Sequence, residues 1–334
     1  MRVLAIGVLW LAFAALCPAA KNLEVYAIDV EGGKATLYVS PSGESMLVDA
    51  GYAGFNNRDA NRIVAAAKLA GVKQIDYLVI THYHADHAGG VPQLAAKLPI
   101  RNFIDHGPAV ETDRDTRVRV IAYGSFRDKG NYILAEPGAL IPIKGIEALI
   151  VTSAGKAIDR PLPSAGQPNP ACATYKALDQ DPGENARSIG MLISYGKFRL
   201  ADLGDLFWNQ EHDLACPSNK LGTVDVYMTT HHGGDKSNSP QMVWALHPKV
   251  AIMNNGPKKG GTPAGWQTIH DSPGLLDLWQ LHFSEAGGKD HNSPDPFLAN
   301  LDEACQGQWI RLTVQSDGAF TVFNSRNKYE KTYH

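Results

Sequence analysis

The chain has 334 residues, of which 44% are apolar and 19% are charged, and its formal net charge is −3. This balance is typical of a globular protein, and the length is sufficient for one large domain or two small ones. The near-neutral charge argues against a protein that holds nucleic acid by bulk electrostatics, so we expect no stable nucleic-acid complex, although a local patch could still bind a nucleic-acid substrate.

The N-terminal segment differs from the rest of the chain. Its first twenty residues contain Arg2, an apolar run and then small residues before Lys21. This pattern predicts a secretory signal peptide over 1–20 and a single mature domain over 21–334. An uncleaved anchor and a lipoprotein processed at Cys17 are the alternatives. No second apolar run of spanning length follows, so we expect a mature chain without a membrane span, exported to the periplasm or secreted.

Predicted strands and helices alternate along most of the mature chain. Apolar runs in the first half predict strands at 23–30, 35–40, 45–49 and 75–80, and helical spacing predicts helices at 58–70 and 91–98. The second half predicts strands at 189–195, 198–203, 224–230 and 250–254, a helix at 240–246 and a C-terminal hairpin at 309–324. Residues 153–184 are rich in Pro, Gly, Asp and Ala, which predicts a long loop insertion. The alternation favours an α/β fold.

Three cysteines follow the predicted signal peptide: Cys172, Cys216 and Cys305. In an exported protein this odd number allows one disulfide and one free thiol. No C-x-x-C pair is present, which argues against a zinc knuckle.

A dense group of metal-ligating side chains follows the strand predicted at 75–80. The run T-H-Y-H-A-D-H-A-G-G contains His82, His84, Asp86 and His87. Because α/β folds build sites where the chain leaves the carboxyl edge of a sheet, a tight turn there would bring these side chains together. Imidazole and carboxylate groups are zinc ligands, so the sequence predicts a metal site.

The H-Y-H-A-D-H run resembles the H-x-H-x-D-H signature of the metallo-β-lactamase fold superfamily. Three further segments follow in the order of that superfamily: L-V-D-A-G with Asp49, L-G-D with Asp205, and H-H-G with His231 and His232. The resemblance implies an αββα sandwich of two mixed β-sheets with outer helices. It also implies a site for two zinc ions at one edge, with manganese or iron as alternatives.

The resemblance also implies roles for individual residues. Asp49 would support the ligand loop, and Asp86 would both bind metal and orient the nucleophile. His231 is preferred as the last ligand because it stands nearer the strand end, which leaves His232 as a catalytic pocket residue that donates to substrate or leaving group. The implied metal ligands are His82, His84, Asp86, His87, Asp205 and His231.

Asp202 competes with Asp205 for the position that bridges two metals. Asp205 is preferred because Gly204 precedes it, as in the superfamily pattern. Many members also carry a ligand His between the second and fourth motifs, but this chain has E-N-A-R-S there. His106 is one candidate replacement, and Asn185 is expected instead to orient water or substrate.

The run from E-N-A-R-S to L-G-D is similar to the hydrolase domain of ComEC-type DNA-uptake proteins and their stand-alone secreted relatives. The segment I-D-V-E-G-G-K-A departs from the D-V-G-Q-G-D-A of those relatives, because Glu31 replaces Gly and Lys34 replaces Asp. These departures argue against a nuclease assignment, but they leave the predicted metal chemistry unchanged.

The first functional hypothesis is an exported dinuclear zinc hydrolase that uses metal-bound hydroxide on phosphodiester substrates. Lys258 and its neighbour Lys259, in a Gly-rich loop, are expected to bind an anionic substrate group, although they could equally be a solvated surface pair. The alternatives are hydrolysis of an ester, lactone or β-lactam amide, and a non-catalytic zinc-binding protein.

Overall fold

The computed structural model describes residues 22–334, so the predicted signal peptide lies outside the described residues. The first part of the chain builds most of one sheet, with parallel pairing from its third to its sixth strand. Its strands are β1 Leu23–Ala27, β2 Thr36–Val39, β3 Ser45–Val48, β4 Ile75–Val79, β5 Ile100–Asp105 and β6 Asn131–Leu134.

The second sheet is formed by the middle of the chain. Its strands are β7 Leu140–Ile141, β8 Glu147–Ser153, β9 Lys156–Ala157, β10 Gly190–Tyr195, β11 Phe198–Asp202, β12 Val226–Met228, β13 Val250–Met253, β14 Asp277–His282 and β15 Leu298–Asn300. The order is β15-β14-β13-β12-β11-β10-β8-β7, with β9 paired to β8. Pairing is parallel from β11 to β15 and antiparallel around β8 and β10.

The C-terminal strands return to the first sheet. They are β16 Ile310–Val314, β17 Phe320–Asn324 and β18 Glu330–Tyr333, and the complete order is β18-β17-β16-β1-β2-β3-β4-β5-β6. The expected hairpin is therefore present as β16 and β17, extended by a third strand and joined to β1.

Helices cover the outer face of each sheet. They are α1 Arg58–Leu69, α2 Ala85–Ala88, α3 Val91–Ala95, α4 Arg114–Arg127, α5 Trp208–Ala215, α6 Pro240–Leu246 and α7 Pro263–His270. None of the helices within residues 22–334 is long and apolar enough to cross a membrane.

Three apolar layers hold the architecture together. One lies between the two sheets and includes Val79 and Met228, one packs the first sheet against its helices through Leu78 and Ile63, and one packs the second sheet against α5 to α7. Successive residues of a strand point to opposite faces, which explains why β4 supplies Leu78 to the helices and Val79 to the inner layer. The molecule is the αββα sandwich of two mixed sheets that the sequence predicts.

Parallel strands of both sheets end at the same edge of the sandwich. Asp49 follows β3, Thr81 follows β4, Asp205 follows β11 and His232 follows β12. Because these strand ends face one another across the two sheets, four separate loops meet there.

The loop insertion between β9 and β10 contains two short 3₁₀ turns, Pro170–Thr174 and Asn185–Arg187. A disulfide between Cys172 and Cys216 ties it to the end of α5, and Cys305 is the free thiol of the described residues.

Candidate metal centre

The H-Y-H-A-D-H segment turns sharply after β4. His84 is extended, with φ −66° and ψ 158°, and the single turn of α2 then begins, which folds Asp86 and His87 back toward the strand end. Gly90 permits the close packing that follows, because a Cβ there would lie 2.0 Å from the carbonyl oxygen of Ala50.

Asp49 contacts this loop from the position expected of a supporting residue. The Thr81 backbone N–H donates to its Oδ1 and the Thr81 hydroxyl donates to its Oδ2, both at 2.8 Å. Its Oδ2 also lies 2.7 Å from Nδ1 of His87, which leaves Nε2 of that imidazole directed into the site. Carboxylate–histidine contacts of this kind orient metal-ligating imidazoles.

Four buried side chains converge at the sheet edge: Asp86, His87, Asp205 and His232, whose ligand atoms all lie within 4.8 Å of one another. The Nε2 atom of His87 lies 3.2 Å from Oδ2 of Asp86 and 3.1 Å from Oδ2 of Asp205. The Nε2 atom of His232 lies 3.1 Å and 3.2 Å from the same two oxygens. This group of four residues is called the carboxylate cluster below.

His82 and His84 form a pair beside the carboxylate cluster. Nε2 of His82 lies 3.0 Å from Nδ1 of His84 and 4.0 Å from Oδ2 of Asp205. Nε2 of His84 points away and lies 3.1 Å from a carboxylate oxygen of Glu111. Asp205 therefore stands between two groups of imidazoles, as a residue bridging two metals would.

The electrostatics of the cluster reflect two buried carboxylates at close range. Burial opposes ionisation of Asp86 and Asp205, but the neighbouring imidazoles hold the pKa of both well below the usual range. Burial likewise opposes the imidazolium form of His87, yet the surrounding carboxylates raise its pKa well above the ordinary value. The cluster is therefore an anionic cavity that attracts a cation.

The residues present fit a divalent metal. Oδ1 of Asp205 is buried without a hydrogen-bond partner among residues 22–334, although a buried carboxylate oxygen normally has one. Imidazole and carboxylate donors suit zinc, manganese or iron. Asp86, His87, Asp205 and His232 would hold one ion, and His82, His84 and Asp205 would hold a second.

The structure brings His232, expected as a pocket residue, into the carboxylate cluster and leaves His231, expected as a ligand, outside it. Both residues adopt left-handed backbone conformations, with φ 49° and φ 57° respectively, in a tight turn after β12. This turn carries the side chain of His232 into the cluster, while His231 packs beside Phe207 with ring centroids 5.0 Å apart. Burial lowers the pKa of His231 to about 4, so its imidazole is neutral at pH 7.

The structure separates the two lysines of the Gly-rich loop. The side chain of Lys258 is 61% exposed and pairs with Glu303 at 2.7 Å. The next residue, Lys259, directs its ammonium to Oδ2 of Asp86 and lies over the ring of Tyr52. Lys259, rather than Lys258, therefore reaches the carboxylate cluster.

Asn185 and His106 lie outside the cluster. Nε2 of His106 lies 2.9 Å from Glu184, so that carboxylate, rather than a metal, is its partner. The side-chain oxygen of Asn185 is buried without a hydrogen-bond partner among the described residues. Ser188, from the same segment, does reach the site, because its hydroxyl accepts from the Asp205 N–H at 3.1 Å and lies 3.4 Å from Nδ1 of His82.

Asp202, the alternative to Asp205 for the position that bridges two metals, makes different contacts. Its carboxylate pairs with the ammonium of Lys34 and accepts a hydrogen bond from the Tyr38 hydroxyl at 3.0 Å. All three side chains are buried, and none belongs to the carboxylate cluster.

Comparison with known proteins gives distant relatives. An UPF0173 protein of Pyrococcus abyssi is 24% identical over 239 residues, which is 70% of this chain and 86% of that protein. A hydroxyacylglutathione hydrolase of Rhodopseudomonas palustris is 30% identical over 102 residues, 30% of this chain and 33% of that enzyme. The solved structure of the metallo-beta-lactamase fold protein YhfI from Bacillus subtilis covers 78% of this chain and 96% of its own, at 11% identity and a TM-score of 0.47.

A family model gives the more direct result. Residues 28–170, which include Asp49 and the whole H-Y-H-A-D-H segment, match the family model of the metallo-beta-lactamase superfamily. The two-sheet architecture and the convergence of the later loops agree with that match. Residues 28–170 of this chain are therefore similar to the metallo-beta-lactamase superfamily.

Proposed function

We propose that this protein is an exported dinuclear zinc hydrolase that acts on phosphodiester substrates. The observation that carries the proposal is the convergence of the carboxylate cluster with the His82–His84 pair on either side of Asp205. Export is proposed from the N-terminal sequence, and zinc from the imidazole-rich donor set. The similarity to ComEC-type hydrolase domains supports the choice of phosphodiesters.

Bound metal ions would supply Lewis acidity toward a substrate oxygen and would lower the pKa of water. The protein's own part is to hold the imidazoles in one orientation. The nitrogen of each ring that faces away from the cluster has a fixed neighbour: Asp49 for His87, Glu111 for His84 and the Asn254 carbonyl for His232. These outer contacts prevent ring rotation and so preorganise the site.

Lys259 supplies a positive charge beside the cluster. Burial opposes its charge, but the carboxylates of Asp86 and then Asp205 raise its pKa, so it is an ammonium at neutral pH. Its side chain is 37% exposed, while its ammonium contacts the buried Asp86 carboxylate at the edge of the cluster. A substrate with an anionic phosphoryl oxygen would pair with this ammonium when it enters the site.

His231 is unsuited to protonate a leaving group at neutral pH because its imidazole is uncharged there. His232, the earlier candidate for this role, belongs to the carboxylate cluster. Lys259 is therefore the charged N–H donor that we assign to an anionic substrate group.

A groove of about 480 Å³ is lined in part by Phe207, Trp208 and Lys236. Phe207 also packs against His231, the neighbour of the cluster residue His232, and the aromatic wall of the groove suits an apolar or aromatic group attached to the reacting centre. We propose that this groove holds the group that leaves.

The test combines metal content with turnover of two substrates by the mature protein. Metal is measured by elemental analysis, and bis-p-nitrophenyl phosphate and a chromogenic β-lactam are assayed side by side. We expect two metals per chain at the hydrolytic centre and phosphodiester turnover. Asp205→Asn, which keeps the side-chain shape, should lose both the second metal and activity, whereas Lys258→Met should retain both.

Other results would replace this function. Two metals with turnover of the β-lactam alone would establish the amide hydrolase alternative, whose substrate carboxylate could also pair with Lys259. Two metals without turnover of either substrate would favour the non-catalytic zinc-binding protein. Less than one metal per chain would overturn the metal centre itself.

A further inference from the structure

A second group of metal-type donors lies outside the carboxylate cluster. It consists of Asp29 and Glu31 from the loop after β1, His282 at the end of β14, and Cys305 from the loop between β15 and β16. One ligand atom from each residue lies within 4.8 Å of the other three. These four residues are called the thiol cluster below.

The separations within the thiol cluster suit one small ion. Nε2 of His282 lies 2.7 Å from Asp29 Oδ1, and Sγ of Cys305 lies 3.1 Å from Asp29 Oδ2 and 3.3 Å from Glu31 Oε1. The sulfur lies 4.0 Å from Nε2 of His282. In a tetrahedral zinc site, bonds of about 2.0–2.3 Å place the ligand atoms about 3.3–3.8 Å apart. The separations within the thiol cluster, from 2.7 to 4.0 Å, bracket these values.

The imidazole of His282 is directed into the thiol cluster. Its side chain is fully buried, and its Nδ1 has no hydrogen-bond partner within residues 22–334. Only Nε2 anchors the ring, and Nε2 faces Asp29 and Cys305.

Arg62 completes the charge balance. Its guanidinium donates to Asp29 Oδ2 at 2.8 Å and to Glu31 Oε1 at 3.1 Å, the two carboxylate oxygens that also lie near Sγ of Cys305. Two carboxylates and a thiolate would balance the charges of a divalent ion and Arg62. Arg58, which lies 3.8 Å from Glu31, is matched by Asp59 at 2.6 Å and adds no net charge.

The backbone conformation of Glu31 also supports a role for this residue in the thiol cluster. This residue has φ 58°, a conformation that favours glycine. A non-glycine residue persists in such a conformation where its surroundings fix it. Here the conformation places a carboxylate against Cys305 and Arg62.

We propose that Asp29, Glu31, His282 and Cys305 bind a structural divalent metal ion of the zinc type, separate from the hydrolytic centre. Burial raises the pKa of the Cys305 thiol to about 12, so the metal-free protein holds a protonated thiol. On binding, the sulfur–metal bond forms and the thiol proton leaves to solvent. The ion would join the loop after β1 to β14 of the other sheet.

The site would also stabilise the hydrolytic loop. The segment that follows Glu31 contacts Asp86 directly, because the Lys34 N–H donates to the Asp86 carbonyl oxygen at 3.0 Å. A metal at the thiol cluster would therefore fix one wall of the hydrolytic centre without touching the substrate.

Cobalt substitution tests this proposal, because thiolate–cobalt bonds give a near-ultraviolet charge-transfer band and the carboxylate cluster contains no cysteine. The full mature protein is titrated with Co²⁺ under non-reducing conditions, which keep Cys172 and Cys216 in their disulfide. We expect the band in the wild type and in His232→Ala, and its loss in Cys305→Ser and Asp29→Asn. Elemental analysis should then show one metal fewer in Cys305→Ser than in the wild type.

The reactivity of the thiol provides an independent measurement. Saturating Zn²⁺ should slow the reaction of Cys305 with a disulfide reagent by at least tenfold in both the wild type and His232→Ala. Absence of the cobalt band in a folded wild type, or unchanged thiol reactivity with zinc, would overturn the proposal. Either result would leave the hydrolytic function intact, because that function is tested at Asp205.

Discussion

Nε2 of His232 lies 3.2 Å from Oδ2 of Asp205, and this contact joins the loop after β12 to the loop after β11 within the carboxylate cluster. The neighbouring imidazole of His231 belongs to no such contact, because its ring packs beside Phe207. The two adjacent histidines therefore form a matched pair for testing which one binds metal.

Loss of a residue that only supports a metal ligand weakens metal binding by roughly 10–100-fold. His232→Ala removes a ligand itself, so it should weaken binding of the metal at the carboxylate cluster by at least as much. His231→Ala should change metal affinity by less than about threefold, because it removes a ring outside the cluster. Competition with a chromophoric zinc chelator measures both constants. Equal losses in the two variants would contradict the placement of His232.

The sequence was sufficient to predict the fold and the first half of the site. The H-Y-H-A-D-H segment is local, so its grouping of four metal-type side chains follows from spacing and from the strand before it, whereas the supporting position of Asp49 was implied by the family resemblance. The turn after β12 is different, because two successive left-handed residues reverse the usual direction of side chains. The choice between His231 and His232 depended on this turn.

Some helices and strands were not predicted because their sequences lack a clear hydrophobic pattern. In α4, only Thr116, Tyr123 and Gly124 are buried while Val118 and Ile121 are exposed, so no apolar stripe marks the helix. The edge strand β6 is mostly exposed and lacks alternation. Ser188 and Lys259 reach the site by tertiary contact, and no local spacing indicates them.

Lys259 should contribute to substrate binding rather than to metal binding. Lys259→Met should raise KM for bis-p-nitrophenyl phosphate about 10- to 100-fold, because a charged hydrogen bond contributes about 1.5–3 kcal/mol. Lys259→Arg should restore most of the affinity, and Lys258→Met should leave KM unchanged because its ammonium pairs with Glu303. Steady-state kinetics separates KM from kcat; an unchanged KM in Lys259→Met would rule out this role.

Lys34 and Asp202 form a buried ion pair beneath the site, and both side chains are at most 1% exposed. Lys34→Met should destabilise the protein by about 3–5 kcal/mol, because it leaves the Asp202 carboxylate buried without its cation. The double variant Lys34→Met/Asp202→Leu should recover most of this loss, since it removes both charges. Urea unfolding measures both free energies, and a single variant as stable as the wild type would show that the pair is not ionised.

The disulfide between Cys172 and Cys216 closes a loop with a sequence separation of 44 residues. A chain-entropy model gives about 4 kcal/mol of stabilisation for a loop of this size. Reduction by dithiothreitol should therefore lower the urea midpoint of the wild type, whereas Cys172→Ala/Cys216→Ala should start lower and show no response. A response of the double variant to reduction would locate the effect elsewhere.

Glu211 should make stability fall as pH rises. Burial raises the pKa of this carboxyl to about 7 from its ordinary 4.5, although the Ser239 and Asn238 backbone N–H groups oppose the shift at 2.7 and 2.8 Å. The folded state thus binds the proton more tightly than the unfolded chain. Its contribution is fully present below pH 4.5 and is lost as pH rises through about 7.

Glu211→Gln has no proton to lose, so it isolates this effect. The free energy of unfolding of the wild type relative to Glu211→Gln should decrease by up to about 1.4 kcal/mol per pH unit between pH 4.5 and 7, and should level off below pH 4.5. Urea unfolding at several pH values, with a metal chelator present throughout, measures the difference. A difference that increases with pH would mean that the two N–H donors outweigh burial and that Glu211 is ionised in the folded protein.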